Sequence, residues 1–125
     1  MIWATLVTLA ADLVAQESEA AKRSAISRAY YGAFNEARRR LEARGIGVDD
    51  HRAHSQVCRT FKGADGANSE THQKWQQVGD FMWELRSLRI EADYVDGIDR
   101  LDRKAADAVG IAQRILALLD ELEFS

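Results

Sequence analysis

The sequence predicts an all-α fold, an up-and-down bundle of four long helices with one additional short helix. The 125 residues contain no proline, and apolar residues recur at intervals of three and four along most of the chain. Hydrophobic residues make up 46% and charged residues 30% of the chain, which is typical of a globular protein and argues against disorder. At this length we expect a single domain over residues 1–125.

Two helices account for the first third of the chain. We expect the first over residues 2–16, with an apolar stripe formed by Trp3, Leu6, Leu9, Ala10, Leu13 and Val14. Ser18 can cap a second helix that continues to Arg44, because Gly45 stands where a helix-ending glycine is common. Its core positions lie three or four residues apart and are Ile26, Tyr30, Phe34 (or Ala33), Ala37 and Leu41.

Three further helices follow. We expect a short one over about 54–61, a third long one from about Ser69, which can cap it, to about residue 95, and a last one over about 98–122. The third long helix has an apolar face of Val78, Phe81, Met82, Leu85, Leu88 and Ala92. The last helix is apolar over a wide arc that includes Leu116, which indicates a second buried surface and hence a homodimer.

Charge is distributed unevenly along the chain. Residues 22–62 carry ten Lys/Arg against four Asp/Glu, a balance of +6, and the remainder carries seven against sixteen, or −9, which leaves the net charge of −3. The basic middle could face phosphate groups. Solvated helix faces, with Arg38, Arg39 and Arg40 spread around one helix, explain it equally well.

Cellular location follows from the cysteine count and the N-terminus. Cys58 is the only cysteine, so no disulfide can form within the chain. The apolar N-terminal stretch has no basic residues ahead of it, and Asp12 interrupts it well before the roughly 20 apolar residues that a membrane helix needs. We expect a cytoplasmic protein with no membrane association.

No cofactor or metal ion is expected. His51, His54 and His72 have no cysteine or carboxylate ligands at zinc-like spacing. Cys58 has no nearby base and is expected to be a small buried side chain. Gly63-x-x-Gly66 lacks the Lys-Ser/Thr of a phosphate-binding loop.

Two segments resemble a known family. Residues 24–37 read S-A-I-S-R-A-Y-Y-G-A-F-N-E-A, which resembles the S-x-x-S-R-A-Y-Y-A-A-F pattern in the second helix of HEPN domains. Residues 88–94 read L-R-I-E-A-D-Y, which resembles the R-x-x-A-D-Y end of the third long helix in that family. The order of the predicted helices also agrees, including a short segment with a histidine, here His54.

The resemblance implies an all-α bundle that pairs with a second copy. Many HEPN proteins are metal-independent ribonucleases of prokaryotic toxin–antitoxin or defence systems, and the active ones carry R-x(4–6)-H near the end of the third long helix. The two copies face each other across the dimer. Arginine can stabilise the charge that develops on the phosphorus centre, and histidine can exchange a proton with the 2′-hydroxyl or the leaving oxygen.

This chain departs from the active pattern. Arg89 is followed five positions later by Tyr94, no histidine occurs after His72, and position 90 is isoleucine where a polar residue is common. Tyrosine titrates near pH 10 and is a poor general base at neutral pH. Tyr94 could still orient a phosphate or act as an acid.

The resemblance nevertheless implies a set of site residues. The catalytic candidates are Arg89, Asp93 and Tyr94, and the candidates for nucleotide or RNA binding are Arg86, Arg28, Tyr31 and Asn35. Helical spacing places positions 86, 89 and 93 on one face of the third long helix. It likewise places positions 28, 31 and 35 on one face of the second helix. An ordinary Arg89–Asp93 ion pair and a structural role for Tyr31 are the alternatives.

Three functions stay open at this point. The first is binding of RNA or a nucleotide at a dimer cleft, with impaired or unusual ribonuclease chemistry. The second is an active metal-independent endoribonuclease. The third is a non-catalytic module for dimerisation or for binding a partner, such as a nucleotidyltransferase or an antitoxin.

Overall fold

The computed structural model describes residues 2–63 and 69–122, and these residues form five α-helices and no strand. The helices are α1 (Ala4–Val14), α2 (Glu19–Ala43), α3 (Ala53–Gly63), α4 (Ser69–Tyr94) and α5 (Leu101–Glu121), with a 3-10 turn at Asp50–Arg52 before α3. The all-α prediction and the order of the helices are confirmed. With 11 residues, α1 is no longer than α3, so the bundle has three long helices and not four.

The ends of α2 agree with the capping residues in the sequence. The hydroxyl of Ser18 accepts a hydrogen bond from the N–H of Ala21 at 3.0 Å, so Ser18 is the predicted N-cap. Gly45 adopts a left-handed φ of 84°, which allows the N–H of Ile46 to donate to the carbonyl of Leu41 at 3.0 Å. The local sequence therefore determines where this helix begins and ends.

One predicted boundary is wrong. The last helix begins at Leu101 and not near residue 98, because Arg100 has a left-handed φ of 57° that interrupts the helical geometry. The described helix α4 runs from Ser69 to Tyr94, in agreement with the predicted bounds, whereas the predicted capping bond of Ser69 lies outside what the structure describes.

The core is arranged around α2, which packs against α1, α4 and α5, while α3 packs mainly on α4. All five predicted core positions of α2 are buried, as are Val78, Met82, Leu85 and Ala92 of α4. Phe81 and Leu88 are half-buried against the same cluster. The helical spacing of the apolar residues therefore predicted the buried faces of both helices.

The apolar stripe predicted for α1 is wrong at one position. Leu9 is 41% exposed, and Val7 is buried in its place. The reason is the close approach of α1 to α2 at Gly32, where an added Cβ would lie 2.8 Å from Cγ2 of Val7. Because Val7 packs directly over this glycine, Leu9 is turned toward solvent.

The wide apolar arc of α5 is used within the chain. This helix packs against α1, α2 and α4, and Leu116 is half-buried against the core. The arc that predicted a second buried surface is therefore accounted for by three neighbouring helices. No helix in residues 2–63 and 69–122 has the length and apolarity needed to cross a membrane.

Candidate functional site

A cavity with a volume of about 270 Å³ lies between α2, the start of α3 and α4. Tyr30 and Phe34 line it from α2, and Arg86 and Arg89 line it from α4. The lining on the remaining side comes from residues 50–55, Asp50, His51, Arg52, Ala53, His54 and Ser55. We refer to it below as the α2–α4 cavity.

Arg86 and Arg89 lie one helical turn apart on α4 and are held mainly by aromatic rings. The guanidinium of Arg89 lies 5.2 Å from the ring centre of Tyr30 and 5.6 Å from that of Tyr31. Arg86 lies 5.9 Å from the ring centre of Trp83 and makes no ion pair with any residue that the structure describes. Cation–π contacts of this kind orient a guanidinium without neutralising its charge.

Arg89 also pairs with Asp93, which was the alternative that the sequence left open. The two side chains are 3.3 Å apart, and that of Arg89 is only 15% exposed. The buried Nε of Arg89 donates to no group within the described residues. The same is true of the buried Nε of Arg40 on α2, so this feature is not particular to the cavity.

His54 enters the cavity from α3 and is tied to its walls. Its Nδ1 lies 2.8 Å from the hydroxyl of Tyr30, and its Nε2 lies 3.4 Å from Sγ of Cys58. Burial, assisted by the positive charges of Arg86 and Arg89, lowers the pKa of His54 to about 4. The imidazole is therefore neutral at pH 7.

The two side chains that contact His54 also keep their protons. Burial raises the pKa of Tyr30 to about 12, although Arg89 and Arg86 oppose this shift. Burial likewise raises the pKa of Cys58 to about 12, so its thiol is not a nucleophile at neutral pH. Tyr30 and His54, which both line the cavity, are therefore uncharged at neutral pH.

Asp50, the one acidic residue that lines the cavity, is already paired. Its carboxylate accepts a hydrogen bond from Arg38 at 2.5 Å, and this bond lowers the pKa of Asp50. On the same side, Arg52 is exposed and adds a third guanidinium to the lining. The α2–α4 cavity is thus positively charged and suited to an anion.

Tyr94 faces a different part of the surface, and Asp93, although paired with Arg89, does not line the α2–α4 cavity. Tyr94 is 75% exposed and lines a separate cavity of about 340 Å³ with Asp93, Glu19 and Arg23. Helical geometry separates Tyr94 from the arginines, since the five residues from Arg89 to Tyr94 correspond to about 140° around α4. Arg23 donates to the carbonyls of Ala92, Val95 and Asp96 and so caps the end of this helix. Within one chain, the structure does not bring Tyr94 together with Arg86.

Of the three candidate binding residues on α2, one lies beside the arginines of α4 and two do not. Tyr31 contacts Arg89 at the edge of the α2–α4 cavity. Arg28 lines a cavity of about 220 Å³ with Asp93 and Ser27, and the amide of Asn35 donates to the carbonyl of Tyr31 at 2.8 Å. Only Tyr31 of this set adjoins the arginine pair.

His54 is the main residue that sequence reasoning did not place in the site. The only indication in the sequence was its position in the predicted short helix. Helical spacing does not predict that His54 contacts Tyr30 or that it lines the same cavity as Arg86. Among the residues that the structure describes, no group of three His, Cys, Asp or Glu side chains is arranged to hold a metal ion.

Comparison with known proteins returns no match, whether with family models, curated proteins or solved structures. The likeness to HEPN domains therefore stands on the two sequence segments already quoted.

Proposed function

We propose that this chain is a HEPN-type module that binds the phosphate groups of RNA or of a nucleotide in the α2–α4 cavity. The observation that carries the proposal is the charge of Arg86, which lines the cavity beside Arg89 without a carboxylate partner in the described residues. Guanidinium groups bind phosphate through paired, charge-assisted hydrogen bonds. We place this module in a prokaryotic toxin–antitoxin or defence system, as the family resemblance implies.

Binding is favoured over catalysis by the state of His54. A histidine that gives a proton to a leaving oxygen must carry that proton near neutral pH, and the pKa of His54 is about 4. Both ring nitrogens of His54 also have partners within the cavity wall. The imidazole therefore supports the shape of the cavity, and the arginines supply the interaction with the ligand.

A second candidate function is metal-independent cleavage of RNA. The observation that favours it is that His54 lines the same cavity as Arg86 and Arg89, so that the histidine absent after Arg89 has a spatial substitute. The test is whether the purified wild type cleaves RNA in the presence of a chelator. Cleavage that is lost in both His54→Ala and Arg89→Ala would establish this function in place of simple binding.

Pairing with a second copy is part of the proposal. At the end of α4, Tyr94 and Val95 are both large apolar side chains in an exposed position, next to the Arg89–Asp93 pair. A facing copy would cover them and bring Tyr94 of one protomer near the cavity of the other. Sedimentation should show a dimer that Tyr94→Asp dissociates, and a monomeric wild type would contradict this. A nucleotidyltransferase or antitoxin partner would be sought by co-purification.

The decisive test of the binding function compares two arginines of similar chemistry. Wild-type protein, Arg86→Ala and Arg39→Ala are titrated into a labelled RNA of mixed sequence at low salt. Arg39 is the matched control because it is 56% exposed on α2 and its partner Glu36 keeps a second arginine. We expect Arg86→Ala to bind roughly tenfold or more weakly and to reduce the salt dependence by about one charge.

Two results would overturn the proposal. One is a wild-type protein that binds neither RNA nor a nucleoside triphosphate at low salt. The other is an equal loss of affinity in Arg39→Ala and Arg86→Ala, which would indicate a diffuse charge effect and not a site.

A further inference from the structure

Two exposed aromatic side chains stand beside the α2–α4 cavity. Trp83 on α4 is 39% exposed and Tyr31 on α2 is 40% exposed. They are joined by a continuous row of ring contacts, from Trp83 to His54 at 5.0 Å, from His54 to Tyr30 at 5.8 Å and from Tyr30 to Tyr31 at 5.1 Å. The inner two rings of this row line the cavity, and the outer two reach solvent.

Each exposed ring is held against one of the two arginines. Arg86 lies over Trp83, and Arg89 lies over Tyr31. A phosphate bound by either guanidinium therefore has an aromatic surface beside it, within the reach of the base of the same nucleotide. Alternating cations and aromatic rings are the arrangement by which proteins hold the backbone and the bases of single strands.

We infer that Trp83 and Tyr31 are stacking platforms for two unpaired bases of a single-stranded nucleic acid whose phosphates lie on Arg86 and Arg89. This rests on the proposed function, since it adds a base to each bound phosphate. In a duplex the bases are paired and stacked inside the helix, and so cannot reach an indole on a protein surface. The ligand class is therefore a single strand and not a duplex or a bare phosphate.

The experiment separates contacts with bases from contacts with phosphates. Wild-type protein and Trp83→Ala are titrated into three labelled ligands of equal length: an oligouridylate, an abasic oligonucleotide and a duplex. Because each stacked base contributes about 1–3 kcal/mol, Trp83→Ala should bind the oligouridylate roughly 5- to 100-fold more weakly. Its affinity for the abasic strand should stay that of the wild type.

Two further variants make the result specific to stacking. Trp83→Phe keeps an aromatic face and should restore most of the affinity for oligouridylate. Leu9→Ala is the matched control, since Leu9 is also a large, exposed apolar residue but lies on α1, outside the cavity. It should bind all three ligands like the wild type.

The possible failures are distinguishable. If Trp83→Ala binds oligouridylate like the wild type while Arg86→Ala does not, the stacking inference is overturned and the phosphate site stands. If the wild type binds none of the three ligands, the stacking inference is overturned, and if it also fails to bind a nucleoside triphosphate, the proposed function fails with it. If Trp83→Ala instead dissociates a dimer of the free protein, Trp83 belongs to a protein interface and the inference is overturned.

Discussion

Arg38, Arg39 and Arg40, the arginine run of α2, and the two arginines of α4 that line the cavity have very different surroundings. Arg38, Arg39 and Arg40 all pair with carboxylates, which belong to Glu36, Glu42, Asp50 and Asp120. On α4, Arg89 pairs with Asp93, Arg86 makes no ion pair with any described residue, and both lie over aromatic rings. The run of three arginines is the more conspicuous feature of the sequence, yet among these five residues Arg86 is the one whose charge no described carboxylate neutralises.

The physical reason is the identity of the neighbours. Glu36 lies on the preceding turn of α2 and is almost buried, and hydrogen bonding from Arg39 holds its pKa below the usual range. Arg40 also donates to the carbonyl of Leu119 at 2.9 Å, which ties α2 to the end of α5. We conclude that the arginine run of α2 stabilises the fold, whereas Arg86 on α4 keeps a charge that no carboxylate in the described residues neutralises.

The largest expected difference between the two groups is in stability. Arg40→Ala removes two ion pairs and a bond to a backbone carbonyl, so we expect the free energy of unfolding to fall by about 2 kcal/mol. Arg86→Ala removes only a contact with an indole and should cost less than about 1 kcal/mol. Urea unfolding measures the loss of free energy of unfolding in each variant. Equal losses in the two variants would contradict the difference between these arginines.

His54 and Glu36 should contribute to acid unfolding in different pH ranges. The pKa of His54 is lowered to about 4 from 6.5, so between these values the unfolded chain binds a proton that the folded chain does not. Stability therefore falls as the pH is lowered from about 6.5 to about 4. The pKa of Glu36 is lowered from 4.5, so its contribution is lost only below that value.

Thermal unfolding as a function of pH tests this assignment. His54→Gln should flatten the decline between about pH 6.5 and 4, whereas Glu36→Gln should flatten it only at lower pH. The exposed His51→Gln is the control and should retain the wild-type decline. A His54→Gln variant with an unchanged profile would show that burial of this imidazole does not govern the acid response.

The smallest expected effect concerns Asp93, the carboxylate that pairs with Arg89. Asp93→Asn releases Arg89 from a pair worth only a few tenths of a kcal/mol, so phosphate affinity should rise by about twofold. The measurement is the same RNA titration used for Arg86→Ala. Weaker binding in Asp93→Asn would instead mean that Asp93 positions Arg89 for the ligand.

Much of the fold was readable from local features. Ser18, Gly45 and the spacing of Ile26, Tyr30 and Leu41 predicted both the limits of α2 and its buried face. The misplacement of Leu9 arose because only the contact between Val7 and Gly32 decides which side of α1 faces inward. The start of α5 was missed because nothing in the residue type of Arg100 indicates a left-handed φ.

The site was predictable only in part. The Arg89–Asp93 ion pair, which the sequence left open as the alternative to a ligand-binding role, is formed, and it depends on spacing within one helix alone. Tyr94 was assigned to the site from the family resemblance alone, and five residues of helix turn it about 140° away from Arg89 on α4. Sequence reasoning also passed over His54, whose bond to Tyr30 spans 24 residues.

The sequence by itself determined the helices, most of the core and the position of the arginines on α4, because periodicity and capping act over a few residues. Only the tertiary structure decided which arginines are neutralised and which line a cavity. That outcome depends on which carboxylates and aromatic rings are brought near each guanidinium by helices distant in the chain. The difference in charge neutralisation between the arginine run of α2 and Arg86 on α4 is therefore a property of packing and not of composition.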